Sequence, residues 1–403
     1  MTHSNLFGMF IHWGIYSMTS LHEQAFARYN LPRSDYEAFA KEFNPYLYNP
    51  EDWVLLAKEC GMQYICFTTK HHDGFCMWDT QYSDYSIMHT PYGKDVLKML
   101  ADACQKHNMK LSLYYSLPDW HHPKGYNPAA THQWKAINQN DPDFATYCDY
   151  VKNQITELLT NYGPIYTFFW DIPPRIEDPS FNAYIRSLQP GILINNRGFD
   201  KGDFSTPERE YDEDGSNKPF ASMTEACNSI DVQSWGFREN TTFYSYRFLL
   251  SSIDRVMARG GSYLLNIGPK SDGTLDPVHV DRMRKIGAWY QKMEGCLENH
   301  EADPFDYGFR YCGSCIPTIK NGNSYFHFFD SLVSDCVALA RFPQIPKAIR
   351  CLNNGKQLPY CVEVLPDTFD GNTGIAKQEF LHIRNIPTDD YPHEPIVLEI
   401  SWN

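Results

Sequence analysis

The feature that most restricts this chain is its rhythm. From the start to about residue 296, short apolar runs rich in β-branched and aromatic residues alternate with amphipathic helical stretches, as repeated β/α units do. The strand candidates are residues 7–13, 64–69, 111–116, 165–171, 192–197, 231–235 and 263–267. This alternation predicts an α/β fold, a (β/α)8-like TIM barrel. An eighth strand, if there is one, falls in the poorly patterned stretch between Gly198 and Glu225. The helices carry local start and stop signals. Asn49 is placed to cap a helix that opens with Pro50, Glu51 and Asp52 and stops at Gly61. Asp141-Pro142 opens another, in which Phe144, Tyr147, Val151, Ile155 and Leu158 recur at spacings of three and four. Helices over 241–259 and 277–293 complete the series.

After Glu294 the rhythm changes. Asn321-Gly322, Asn353-Asn354-Gly355 and Asp370-Gly371 separate short alternating runs, and such turn signals favour hairpins. Residues 1–296 are therefore expected to form the barrel and 297–403 a small antiparallel β domain, a division that suits a length of 403 residues.

Charge and targeting signals narrow the partners. A formal charge of −14 disfavours nucleic acid and anionic membranes, both of which attract basic surfaces, and favours a neutral substrate. Met1 to Asn5 has neither a basic n-region nor a long apolar run, and no stretch of about 18 apolar residues occurs anywhere. With twelve scattered cysteines read as reduced thiols, the expectation is a cytoplasmic chain. Cys312-Gly-Ser-Cys315 has metal or redox spacing, but a zinc site needs two more ligands, and a β-turn is the simpler reading.

In a barrel of this kind, reactive groups lie at the C-terminal ends of the strands. Here those ends carry Ile11-His12-Trp13, His71-His72-Asp73, Tyr114-Tyr115-Ser116 and Trp170-Asp171. Four polar strand ends in succession are hard to explain as packing. His71-His72-Asp73 is not expected to hold a metal, because adjacent side chains leaving a strand point to different sides. As hydrogen-bonding groups for hydroxyls, the imidazoles of His12, His71 and His72 need no further ligand. Aromatic residues make up 15% of the chain, which suits a ligand whose apolar face stacks on a ring. Trp170 and Trp235 are the tryptophans expected to contact substrate.

Asp171 directly follows an apolar strand run, where an acid has no structural advantage. Retaining glycosidases pair two carboxyl groups about 5 to 5.5 Å apart, one ionised to attack carbon and one protonated to assist the leaving oxygen. Glu208, beside Pro207, is the first candidate partner and Glu225 the second. Asp212, Glu213 and Asp214 belong to a charge run read as solvated surface. No metal or organic cofactor is expected.

Four segments, Phe7-Gly8-Met9-Phe10-Ile11-His12-Trp13-Gly14, Thr68-Thr69-Lys70-His71-His72-Asp73-Gly74-Phe75, Tyr114-Tyr115-Ser116-Leu117-Pro118-Asp119-Trp120 and Leu264-Leu265-Asn266-Ile267-Gly268-Pro269, resemble glycoside hydrolase family 29, the α-L-fucosidases. The likeness runs from about residue 6 to about 296. It implies a retaining mechanism with Asp171 as nucleophile, sugar contacts from His12, His71, His72 and Tyr115 (or Tyr114), and a small β-sandwich after the barrel. It also implies that Glu208 is the general acid/base, with Glu225 at a second acidic position, and that the substrate is a fucosylated oligosaccharide or glycoconjugate. Trp235 is an apolar wall for the fucose methyl. The alternatives are a retaining glycosidase of this fold acting on a related sugar such as a β-galactoside, a fucose-binding barrel without turnover, and transfucosylation. Two departures stand out. Ile172-Pro173-Pro174 follows the nucleophile where the family commonly has glycine, and Leu21-His22-Glu23-Gln24 occupies a loop where relatives carry tryptophans, with His22 or Glu23 as possible substitutes.

Overall fold

The computed structural model describes residues 5–136, 140–209, 217–330, 332–364 and 378–403. The acidic run 212–214 and the Asp370-Gly371 turn lie outside them. Seven parallel strands form one curled sheet: β1 (Phe7–Ile11), β2 (Tyr64–Lys70), β3 (Lys110–Ser116), β4 (Thr167–Asp171), β5 (Leu193–Ile194), β6 (Glu225–Ser229) and β7 (Ser262–Ile267), in the order β5-β4-β3-β2-β1-β7-β6. The two edges are joined by segment 204–208. Phe204 bridges Asn195 just beyond β5, while Ser205 and Glu208 bridge Thr224 and Cys227 on the β6 side. Single parallel bridges thus close the ring at its eighth position, inside the stretch that sequence patterning left open.

The helices begin where their caps dictate. Asn49 accepts the Glu51 N–H and Asp141 the Asp143 N–H, opening Pro50–Glu59 and Pro142–Asn161. The helix expected from residue 241 starts later, at Tyr246, because the Ser245 side chain accepts the Phe248 N–H. One strand was misplaced by the sequence reading. Residues 231–235 form a turn in which the Asp231 carboxylate accepts the Gln233 and Ser234 N–H groups, and the strand is β6, just upstream.

Side-chain alternation divides the barrel between two cores. One face of each strand packs on the helices in a large cluster containing Phe7, Met9, Ile11, Leu113, Tyr115, Phe168 and Trp170. The other face fills the barrel with Phe10, Tyr64, Cys66, Tyr114, Phe169, Cys227 and Leu264. Close-packing leaves little room: a Cβ on Gly8 would meet the Tyr64 ring at 2.4 Å.

Beyond the barrel, two antiparallel sheets enclose a separate apolar cluster that includes Phe326, Phe328, Val337, Leu339, Leu381 and Leu398. The (β/α)8-like barrel is thus followed by a β-sandwich. Asn321 and Gly322, both at positive φ, form the two-residue loop between paired Lys320 and Asn323, the hairpin that Asn-Gly specifies. Cys312 and Cys315 pack against the sandwich core, and all twelve cysteines are free thiols. Among the described residues no helix is long and apolar enough to cross a membrane.

Candidate active site

A cavity of about 380 Å³ opens at the C-terminal end of the strands, walled by Phe10, His12, Glu23, His71, His72, Tyr114, Phe169, Asp171, Arg197, Glu208 and Trp235 among others. That is near the low end for ligand sites, about 300–1,000 Å³, and suits a single monosaccharide.

His71 and His72 both reach this cavity, against the expectation that they diverge. The register between β2 and β3 slips between Thr68 and Lys70, and the irregularity re-aims the side chains that follow. Lys70 turns outward, fully buried, to pair with Asp119 at 2.9 Å and lie 4.3 Å from the Tyr115 ring centre. Asp73 points away from the histidines, accepting the Tyr36 hydroxyl and the Phe75 N–H, and burial pushes its pKa up to about 7.

The imidazole protons are fixed by their neighbours. Ser116 donates its hydroxyl to the Pro118 carbonyl and so accepts from His72 Nδ1 at 2.7 Å, leaving His72 Nε2 as an acceptor 3.8 Å from Asp171 Oδ2. His12 Nδ1 likewise donates to Asn266 Oδ1 at 2.6 Å, leaving its Nε2 as an acceptor. Burial lowers both pKa values to about 4 and holds that of His71 well below the ordinary imidazole value, so all three rings are neutral near pH 7. Donor atoms of His71, His72 and Asp171 lie within 4.8 Å of one another, the spacing of a metal site, as do those of Cys361, Glu363 and His382 in the sandwich.

Asp171 ends β4 and is buried. It accepts the Tyr114 hydroxyl at 2.6 Å, the Ile172 N–H at 3.0 Å and Arg197 Nη1 at 3.2 Å. Burial alone would favour its neutral form, but His72, Arg197 and the Tyr114 hydroxyl outweigh it and hold the pKa below the ordinary value. Ile172 takes φ 59°, the left-handed conformation that favours glycine. A β-branched residue there carries about 1–2 kcal/mol of backbone strain. The same Arg197 Nη1 holds Glu208 Oε1 at 2.5 Å, so the bridged Asp171 and Glu208 oxygens are at most about 5.7 Å apart. The cleft around Glu208 withdraws water and raises its pKa more than Arg197 lowers it, and the charge on Asp171 adds to the rise. Two carboxyl groups at this separation, pushed in opposite directions, can supply one base or nucleophile and one acid.

Three expected site residues stand elsewhere. Tyr115 faces the helix layer and donates its hydroxyl to Gln154, so Tyr114 is the tyrosine of the pocket. Trp170 also faces outward, its indole N–H on Asn182. Glu225 lies inside the barrel against Tyr64 and lines neither cavity that holds Asp171. Trp235 does line the pocket, stacked on His12 with ring centres 5.2 Å apart. Glu23 accepts from the Ser234 hydroxyl and the Trp235 and Gly236 N–H groups, tying the loop after β1 to the turn after β6. Arg197 was missed by the sequence reading, although a charged residue ending a strand candidate was the signal that singled out Asp171.

The family model for Alpha-L-fucosidase matches residues 3–294. The chain belongs to this family. It is 28% identical over 323 residues to an alpha-L-fucosidase of Branchiostoma floridae, covering 71% of this chain and 69% of that protein. Its fold matches alpha-L-fucosidase isoenzyme 1 from Paenibacillus thiaminolyticus with TM-score 0.82 and 28% identity, over 99% of this chain and 97% of that one. The alpha-L-fucosidase from Vibrio sp. strain EJY3 matches with TM-score 0.83 and 25% identity, over 99% and 72% of the two chains. In this fucosidase family member the matched region contains every residue of the cavity named above.

Proposed function

We propose that this chain is a retaining exo-glycosidase that removes a terminal α-L-fucosyl unit from an oligosaccharide or glycoconjugate, with Asp171 as nucleophile and Glu208 as general acid/base. In the first step an Asp171 carboxylate oxygen attacks the anomeric carbon, the bond from that carbon to the leaving oxygen breaks, and Glu208 gives that oxygen its proton. In the second, Glu208 takes a proton from water, the water oxygen bonds to the anomeric carbon and Asp171 departs as carboxylate. His12, His71 and His72 bond the ring hydroxyls, Tyr114 holds the nucleophile and Trp235 receives the methyl group. The reaction consumes only water.

The observation that carries this reading is the carboxyl pair, whose separation of at most about 5.7 Å through Arg197 fits retention and falls short of the roughly 6.5–9.5 Å of inverting enzymes. A 2-fluoro-fucosyl fluoride should label the peptide carrying Asp171, and proton NMR should show the α-anomer first. A label on another carboxylate, or the β-anomer first, overturns the assignment. We also place the division between barrel and sandwich at residues 296 and 297. The twelve free thiols favour a reducing, cytoplasmic setting.

A further inference from the structure

One sheet of the sandwich carries a group of side chains that the reaction does not use. Its edge strand, Tyr360–Val364, pairs antiparallel with Glu379–Ile383, which pairs on its other side with Val337–Leu339. Cys361 and Glu363 are two residues apart and so share a face, and His382 stands directly opposite Cys361 in the ladder. This face is the outer one, because the alternate residues Val337, Leu339, Leu381 and Ile383 fill the apolar core behind it. Opposed residues in such a pair have Cβ atoms about 4.5–5.5 Å apart, and diagonal neighbours are within reach of long side chains. Donor atoms of Cys361, Glu363 and His382 accordingly lie within 4.8 Å of one another. Strand pairing by itself assembles a thiol, a carboxylate and an imidazole at one point.

The surroundings favour a bound ion on one side and admit it on the other. His382 faces Ala338 across its second ladder, and that methyl group leaves the imidazole room. Ala338, Ala340 and Phe380, with Tyr311 packed against them, make an apolar border, and the Tyr311 ring centre is 6.4 Å from that of His382. Such a border keeps water from part of a metal site and strengthens the charges inside it. The imidazole is already oriented, with Nδ1 2.5 Å from Glu363 Oε1. Exposure of 33% of the Glu363 side chain and 13% of the His382 side chain leaves a way in from solvent. Arg384 is the opposing feature: it also bonds Glu363, and its Nε lies 3.2 Å from His382 Nδ1. That guanidinium is nearly half exposed, so it can swing into solvent when a cation arrives.

We propose that Cys361, Glu363 and His382 form a site for a divalent transition metal, with a fourth position left to water, and that the ion pins the edge strand to its neighbour. Zinc is the ion that the donors fit best, since thiolate and imidazole suit it whereas magnesium and calcium take oxygen ligands. Its bonds of about 2.0–2.3 Å, at tetrahedral angles, put ligand atoms about 3.3–3.7 Å apart. Small side-chain rotations bring donors that already lie within 4.8 Å to that spacing. Binding replaces the Cys361 thiol proton, which passes to solvent, and the sandwich gains a cross-strand link. The site stands apart from the catalytic residues, since all three side chains belong to the sandwich.

The test titrates cobalt(II) into the full chain after treatment with a chelator. Cobalt bound to thiolate gives a charge-transfer absorption in the near ultraviolet that imidazole and carboxylate ligands alone do not give. The band therefore separates this site from His71, His72 and Asp171, which share its spacing but supply no sulfur. The parent is expected to show the band, saturating at one cobalt per chain, and zinc to abolish it by displacement. Cys361→Ser loses the band, while His382→Gln, which keeps the thiol, weakens cobalt binding by about tenfold or more. Cys312→Ser leaves band and affinity unchanged, and Arg384→Gln tightens binding by about threefold or more because a competing charge is gone. Zinc raises the melting temperature of the parent and not that of Cys361→Ser, with circular dichroism of the metal-free variants confirming that they are folded. A parent without the band, a band that survives Cys361→Ser, or one lost in Cys312→Ser alone overturns the proposal. In the first case the three side chains are a hydrogen-bonded surface group and nothing more.

Discussion

Replacing Glu225 by glutamine should flatten the alkaline side of the stability profile of this protein. The Glu225 side chain lies inside the barrel, buried, with the Tyr64 hydroxyl on Oε2 at 2.7 Å and no partner for Oε1 among the described residues. No cation is among the groups that shift it, and burial raises its pKa from 4.5 to about 7. The folded state therefore holds a proton that the unfolded chain gives up at lower pH. Stability from this group is fully present below pH 4.5 and is lost as pH rises through 7, at about 1.4 kcal/mol per pH unit in between. A displacement of about 2.5 units corresponds to about 3 kcal/mol by pH 8. Glutamine keeps an oxygen for Tyr64 and cannot ionise. Urea titrations followed by tryptophan fluorescence at pH 5, 6, 7 and 8 should show the parent losing about 2–3 kcal/mol relative to Glu225→Gln across the series. Parallel profiles for the two proteins would mean that Glu225 is ionised in the folded barrel and that the burial argument is wrong.

Three further outcomes follow from the same geometry. Tyr114→Phe removes a hydrogen bond that favours the ionised nucleophile, so Asp171 should titrate higher and the acidic limb of the kcat/KM profile should move to higher pH. Tyr115→Phe, which leaves the Gln154 acceptor without its partner, should cost about 1 kcal/mol of stability and not move that limb. Lys70→Met strands the buried Asp119 carboxylate and should cost about 3–5 kcal/mol, while Lys70→Met with Asp119→Asn should recover most of that in urea titrations.

Most of the fold was legible because each β/α unit repeats the same demand, an apolar strand followed by a capped amphipathic helix. The exceptions share one cause. β6 reads Glu-Ala-Cys-Asn-Ser, polar enough to look like a loop, yet it is fully buried: Ser229 accepts from Asn266 and Glu225 Oε2 from Tyr64, while Glu225 Oε1 and Asn228 Nδ2 have no partner among the described residues. Segment 204–208 is held by single bridges, too short a pairing to leave a period in the sequence. Hydrophobic patterning reports where apolar surface is removed from water, and it has no means of reporting a strand whose buried face is polar.

The site divides along the same line. Asp171 stood out as an acid closing an apolar strand, and alternation along β4 then places Trp170 on the opposite face, so both could not have pointed into one cavity. The same rule separates Tyr114 from Tyr115, though only the position of one certain inward residue on β3 says which is which. The adjacent pair His71-His72 breaks the rule because the register slips one step earlier. Gly74, at φ 80°, completes the turn after them where a Cβ would meet Asp119 Oδ1 at 2.2 Å. The irregularity that hides the site from a strand-period argument is thus also what builds it. With regular pairing through Lys70, the lysine rather than His71 would face the sugar, and the buried ion pair with Asp119 is what holds it outside.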